Sequence, residues 1–169
     1  MELLTHNKVI VQSNKAKSVL IEKGYGEKKE GLLVLDLREA LYLLEKGKIE
    51  IQDEKDDEYS FEKLLKYASG KEPKFYTKYL VYKDLREKGY CPKTGFKFGF
   101  NFRIYPKGKN VGEAHTEFVV HVSTQDNSIT MPELSRMVRM SQTLNTMLVV
   151  AVVDSEDDIN YYKFERMTP

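Results

Sequence analysis

Tyr79-Leu-Val-Tyr-Lys-Asp-Leu-Arg-Glu-Lys-Gly-Tyr90, followed by Lys93-Thr-Gly-Phe-Lys-Phe-Gly99 and Phe102-Arg-Ile-Tyr105, is the stretch on which the reading of this 169-residue chain turns. Its first part has the pattern of a short amphipathic helix closed by Gly89, and the remainder reads as two strands. The second strand ends at Tyr105, ahead of a basic Lys/Gly-rich loop, Pro106 to Ala114, and then His115. A phenol and an imidazole on either side of such a loop are suited to moving protons at a phosphodiester, because imidazole both donates and accepts near pH 7. Each also has a plainer reading. Tyr105 is one of 11 tyrosines and suits a packing position at a strand end, and His115 suits a surface position beside a turn.

Working outward, Lys74 to Lys88 forms the helix, with Tyr79, Val81, Tyr82 and Leu85 on or near one side. Upstream, Ser60 starts another helix that Ala68-Ser-Gly-Lys-Glu-Pro73 breaks, and a domain boundary falls there, giving 1–70 and 71–169. The first of these domains is a small α/β unit. Lys8 to Gln12 reads as a strand, Asn14 to Lys23 as a helix closed by Gly24, and Tyr25 to Gly31 as a loop. After the apolar Leu32 to Leu35, Asp36 caps a helix from Leu37 to Glu45 whose Leu37, Ala40, Leu41 and Leu44 share a face. Lys48 to Gln52 alternates as a half-buried strand does, and residues 53–60 form a charged turn. Downstream of Gly89, Tyr90 to Pro92, Lys97 to Ile104 and Thr116 to Val122 are strands. In the last, Phe118, Val120 and Val122 alternate with Val119, His121 and Ser123, which predicts one face more buried than the other. A helix runs from Pro132 to about Thr143, and Met147 to Val153 is continuously apolar, as a strand covered on both faces is. An acidic turn, Asp154 to Asp158, leads to a final strand, Ile159 to Phe164. The fold class is α/β (α+β), with a mixed sheet flanked by helices in the second domain.

Composition narrows the class further. A hydrophobic fraction of 41% and a charged fraction of 31% are those of a soluble globular chain, and no apolar run is long enough to span a membrane. The N-terminal Met1-Glu-Leu-Leu-Thr-His-Asn-Lys lacks a basic-then-apolar signal pattern. Cys91 is the sole cysteine, so no internal disulfide forms, and a reducing, cytoplasmic setting is expected. The net charge of +1 does not mark a nucleic-acid binder, but its distribution is uneven. Lys83, Arg86, Lys88, Lys93, Lys97, Arg103, Lys107 and Lys109 face only Asp84 and Glu87 in residues 83–109, whereas residues 53–58 are acidic. Such segregation predicts either one basic face or an ordinary solvated surface.

The order of these pieces resembles the archaeal tRNA-splicing endonuclease (tRNA-intron endonuclease) family. The words that carry the likeness are Lys78-Tyr-Leu-Val-Tyr-Lys-Asp-Leu-Arg86, Gly89-Tyr90, Lys93 to Gly99, Phe102 to Tyr105, the strand after His115, and Val149-Val-Ala-Val-Val-Asp154 with Asp158-Ile-Asn-Tyr-Tyr162. Leu35 to Gly47 matches more loosely. The resemblance implies a small N-terminal α/β domain and a C-terminal nuclease-like domain, in subunits that pair as homo- or hetero-oligomers. It further implies cleavage of precursor tRNA at a bulge-helix-bulge element, without metal or other cofactor, to give a 2′,3′-cyclic phosphate and a 5′-hydroxyl. A tRNA-intron lyase acting in this way would be an RNA-binding enzyme with no membrane partner.

Such a cleavage needs the 2′-hydroxyl deprotonated, the leaving 5′-oxygen protonated and the phosphorane's added charge met by a cation. By resemblance, Tyr105 acts on the nucleophilic hydroxyl and His115 is the general acid. The family's lysine falls at Thr146, within Gln142-Thr-Leu-Asn-Thr-Met147, and a threonine supplies no charge. Losing a preorganised charge of this kind typically costs about 100- to 1000-fold in rate. Three readings follow: a structural, non-cutting subunit of a heteromeric enzyme, an inactivated variant that traps substrate, or another cation such as Lys163 or Arg139 in the role. Arg139 and Arg166 match the pair that sandwiches a flipped bulge base. Asp126, in Gln125-Asp-Asn-Ser128, matches an acidic loop that docks into another subunit. Tyr161 and Tyr162, in the last strand, match the strand that pairs across a dimer interface. A generic RNA-binding module with no role in splicing is the remaining reading.

Overall fold

A computed structural model describes residues 1–95, 99–106 and 115–169, which divide into two compact units, Met1–Tyr76 and Thr77–Pro169. In the first unit β1 (Glu2–Leu4), β2 (Lys8–Val11), β3 (Glu27–Lys29), β4 (Leu32–Asp36), β5 (Ile51–Gln52) and β6 (Glu58–Tyr59) form one sheet in the order β3-β4-β2-β1-β5-β6. All its pairings are antiparallel except β1 with β5. With it go α1 (Asn14–Glu22), α2 (Leu37–Glu45) and α3 (Phe61–Lys71). The start of α2 follows directly from its sequence. Asp36 accepts from the Glu39 N–H, and the Glu39 carboxylate accepts from the Asp36 N–H, so two donors left over at the helix end are satisfied reciprocally. Burial on α2 is wider than the single expected face. Leu43 is buried where Leu44 was expected, and Arg38 is buried as well, paired with the Glu72 carboxylate and lying 5.8 Å from the Phe75 ring centre.

Several boundaries differ from the sequence reading, each for a local reason. α3 does not break at Ala68 but continues through Gly70 to Lys71. Ala68 is fully buried, which offsets the roughly 1 kcal/mol that a helical glycine costs. The stop comes from Pro73, which excludes the helical conformation at the preceding residue, and Glu72 is extended (φ −136, ψ 128). Lys48 to Gln52 is a strand only at its last two residues, because the Lys48 N–H closes the end of α2 on the Leu43 carbonyl. Tyr25 to Gly31 is not simply a loop: Glu27–Lys29 pairs with β4 through a two-residue turn, Glu30 and Gly31, both at positive φ. That backbone twist suits a tight hairpin. β6 lies at the end of the stretch read as a charged turn, with Asp53 accepting from the Lys55 and Asp57 N–H groups between the strands.

In the second unit α4 (Phe75–Glu87), which begins in the last residues of the first, leads into β7 (Cys91–Thr94), β8 (Phe102–Tyr105), β9 (Phe118–Thr124), α5 (Met131–Thr143), β10 (Met147–Val153) and β11 (Ile159–Phe164). The sheet order is β11-β10-β9-β8-β7, antiparallel throughout except for the parallel pair β9–β10 that α5 connects. The expected strand from Lys97 begins only at Phe102. Residues 96–98 lie outside the described residues, and Gly95 and Phe100 close the end of the β7–β8 hairpin. A Cβ at Gly95 would sit 2.7 Å from the Phe100 carbonyl oxygen, so only glycine fits there.

The expected one-sided alternation on β9 does not hold. Val119 and Val120 point to opposite faces and both are buried, because a helix covers each face. Val119, Leu148 and Val150 join Met137 of α5 in one core, while Tyr82 of α4 packs on Phe102 of the other face at 6.2 Å. No helix among the described residues is long and apolar enough to cross a membrane.

Candidate functional site

Strand directions gather the residues singled out above at one edge of the second sheet. β8 runs antiparallel to β9 and β9 parallel to β10, so the end of β8 and the starts of β9 and β10 lie together. Tyr105 is the last residue of β8, His115 sits just before β9, and Thr146 immediately precedes β10. The Thr146 hydroxyl donates to the Thr116 carbonyl at 3.3 Å, which links residue 146 to the residue after His115. Its backbone is held as well. Asn145 takes a left-handed conformation (φ 54), and the Thr146 N–H donates to Ser141 O, closing α5. A side chain at 146 therefore starts from a defined point.

His115 is exposed, whereas Tyr105 is only 5% exposed. The phenol oxygen accepts from Arg103 Nη1 at 3.3 Å, and the guanidinium carbon lies 5.8 Å from the phenol ring centre. Among the described residues no hydrogen bond joins Tyr105 to His115. Lys107 to Ala114, most of the loop between them, lies outside the described residues, as does Lys97.

β11 runs antiparallel to β10, with Phe164 opposite Leu148, so its C-terminal end returns to the same edge. There Arg139 of α5 and Arg166 line one open groove of about 570 Å³ with the apolar Met131, Leu134, Val138 and Phe164, and with Ser135 and the Glu165 carboxylate. Apolar walls and two guanidinium groups are what a stacked, anionic nucleotide requires. Lys163, the other candidate cation, is exposed and paired with Glu165 at 3.2 Å.

The remaining candidates lie elsewhere. Asp126 is exposed in the turn at the far end of β9. The acidic turn after β10 is at that same far edge, where Asp154 accepts from the Glu156 and Asp158 N–H groups. Tyr161 and Tyr162 lie on β11, the outermost strand of the sheet. The Tyr161 hydroxyl donates to Asp84 at 2.6 Å, and burial together with that bond pushes the phenol well above its usual range. Tyr162 is 52% exposed.

The described members of the basic run of residues 83–109 do not make one face. Arg86 donates to the Tyr82 hydroxyl within α4, and Lys88, just after the helix, pairs with Asp84 on it, whereas Lys93 and Arg103 lie on the opposite side of the sheet. Cross-strand register shows this: Lys93, Arg103, Val119, Leu148 and Phe164 form one row, and its apolar members pack with α5. Sequence reasoning took Arg103 only as part of a motif and of a charge run. Its position two residues before Tyr105, on the same face of β8, was the available signal. His121 was also passed over as a titrating group. Burial pulls it below the ordinary histidine range, against the opposing pull of Glu133.

Comparison with known proteins agrees with this architecture. Residues 2–65 match the family model described as tRNA intron endonuclease, N-terminal domain, and residues 75–161 match the tRNA intron endonuclease, catalytic C-terminal domain. The chain is 40% identical over 145 residues to a tRNA-splicing endonuclease of Methanothermobacter thermautotrophicus, covering 86% of this chain and 84% of that protein. It is 37% identical over 163 residues to that of Thermococcus kodakarensis (96% and 95%) and 38% identical over 163 residues to that of Pyrococcus furiosus (96% and 93%).

Proposed function

Because the chain belongs to the tRNA intron endonuclease family, we propose that it is a subunit of an oligomeric enzyme that cuts precursor tRNA at bulge-helix-bulge junctions. Tyr105, acting as general base, takes the proton of the ribose 2′-hydroxyl, and the 2′-oxygen bonds to phosphorus. As the bond from phosphorus to the 5′-oxygen breaks, His115 protonates the departing oxygen. The products are a 2′,3′-cyclic phosphate and a 5′-hydroxyl, and no step draws on a metal. The observation that carries this reading is the shared sheet edge of Tyr105, His115, position 146 and the Arg139–Arg166 groove. In this reading that groove takes a flipped bulge base, while the Asp126 turn and the outer strand with Tyr161 and Tyr162 face other subunits. An outermost strand exposes unpaired backbone groups that a second copy can satisfy.

A second reading is favoured by one specific observation. Position 146 carries a hydroxyl bonded to a backbone carbonyl in place of a cation, which suits a subunit that assembles with an active partner and does not itself cut. Incubating the purified chain with a bulge-helix-bulge RNA and with a continuous duplex of the same length separates the two. Cleavage of the bulged RNA alone, yielding cyclic phosphate ends, supports the first reading. Cleavage only after addition of a lysine-bearing subunit supports the second. Equal affinity for both RNAs with no cleavage in either mixture would remove both.

A further inference from the structure

Arg103 is a partly buried cation without a carboxylate beside it among the described residues. Its Nε donates to the Thr94 carbonyl at 2.8 Å and its Nη1 to the Tyr105 hydroxyl at 3.3 Å. Neither partner carries a charge. Its cross-strand neighbour on the same face is Lys93, which is 6% exposed. For Arg103 itself, a cation drawn partly out of water is costly unless an anion answers it. We propose that Arg103, beside the Tyr105 phenol and facing Lys93, forms a phosphodiester-binding subsite that supplies the positive charge Thr146 lacks. The assignment rests on the endonuclease reading for the identity of the anion, but its geometry stands without it.

The guanidinium is preorganised for this task. The bond to Thr94 O ties it to β7 and the bond to the phenol ties it to the end of β8, so its plane is set before any ligand arrives. A guanidinium carries five N–H donors, and these two bonds use two of them. The rest of the fork matches two oxygens of a phosphate, which a lysine ammonium does only as a point charge. A phosphate held there lies against the Tyr105 hydroxyl, where the 2′-oxygen must lose its proton. The subsite thus places charge at the phenol from the β7–β8 side of the sheet. A lysine at 146 would bring it from the β10 side.

Inorganic phosphate titrated into the full-length chain tests this, read from the ring resonance of Tyr105 in tyrosine-labelled protein and assigned with Tyr105→Phe. A saturable shift is expected in the unmodified chain, with affinity about tenfold weaker or worse in Arg103→Gln, the range expected for losing charge-assisted bonds. Arg103→Lys is expected to fall between the two, because it keeps the charge and loses the fork. Should Arg103→Gln not fold, Arg103→Lys alone decides, and unchanged affinity in it overturns the proposal. A Tyr105 signal indifferent to phosphate overturns it as well. In parallel, cleavage of bulge-helix-bulge RNA is followed for the same variants. Phosphate binding at Arg103 without cleavage in any assembly defeats the endonuclease reading and leaves the subsite in place. Cleavage with kcat unchanged in Arg103→Gln defeats the subsite and leaves the endonuclease reading.

Discussion

Arg38 in the first unit and Arg103 in the second are both drawn away from solvent, and the fold treats them in opposite ways. Arg38 is 5% exposed and meets a carboxylate, Glu72, with the Phe75 ring beside it. Its charge is neutralised inside the unit, where it joins α2 to the end of α3. Arg103 meets a phenol and a backbone carbonyl, and its strand neighbour is another cation. Around the second sheet the strand ends near Tyr105 carry both signs, with Arg139, Arg166, Glu117 and Glu165, whereas Asp126 and Asp154 to Asp158 lie at the opposite ends. A paired buried arginine belongs to the structure, and one with no carboxylate beside it among the described residues is, in the proposal above, the place where an anion from outside binds.

The comparison is sharpened most by adding charge at the second site. Thr146→Lys is expected to raise single-turnover cleavage of bulge-helix-bulge RNA, by less than the roughly 100- to 1000-fold that a wholly missing charge is worth, because Arg103 already meets part of it and the helix-closing bond to Ser141 fixes where the new side chain starts. An unchanged rate would mean that position 146 does not face the reaction. Next in size, Glu72→Ala removes the carboxylate paired with Arg38 inside a packed interior. Urea unfolding should show a loss of about 3 kcal/mol, against less than about 1.5 kcal/mol for Arg103→Gln. Equal losses would break the distinction between the two arginines.

Removing the groove arginines, by Arg139→Ala or Arg166→Ala, should weaken binding of the bulged RNA by about 1 to 3 kcal/mol each. Affinity for continuous duplex should change much less, as gel-shift titration would reveal. The smallest effect concerns Tyr161. Its phenol is held protonated by burial and by Asp84, so the unfolded chain ionises this group more readily. The stability it contributes is complete below the ordinary tyrosine value of 10.0 and is lost as pH rises beyond it. Tyr161→Phe should cost about 1.5 kcal/mol at neutral pH and flatten the decline expected in thermal melts as pH rises above 10.0.

Most elements were legible wherever a short-range signal existed. Asp36, Ser60 and Pro132 each mark a helix start in the sequence, and helices begin at Leu37, Phe61 and Met131, the first two capped by the side chains of Asp36 and Ser60. Ile159 to Phe164 and Met147 to Val153 are strands with the boundaries their patterns suggest. β3 was missed because Glu27-Lys-Lys29 is exposed on every residue, so no alternation marks it. The end of α3 was misplaced because Gly70 was weighed by its own propensity, when burial of Ala68 decided the helix there. In the candidate site, Tyr105, His115 and Thr146 could be named from their motifs. That Arg103 holds the phenol could not, because the bond depends on which face of β8 is turned from α4.

By itself the sequence determined the caps, the turns, the apolar strands and the kinds of side chain available for chemistry, since each depends on neighbours a few residues apart. Only the tertiary structure decided that the basic run splits across two sheet faces, that Arg139 and Arg166 share a groove, and that Lys93 and Arg103 stand side by side. Those outcomes depend on strand order and cross-strand register. A shift of one residue in pairing would send every one of these side chains to the opposite face.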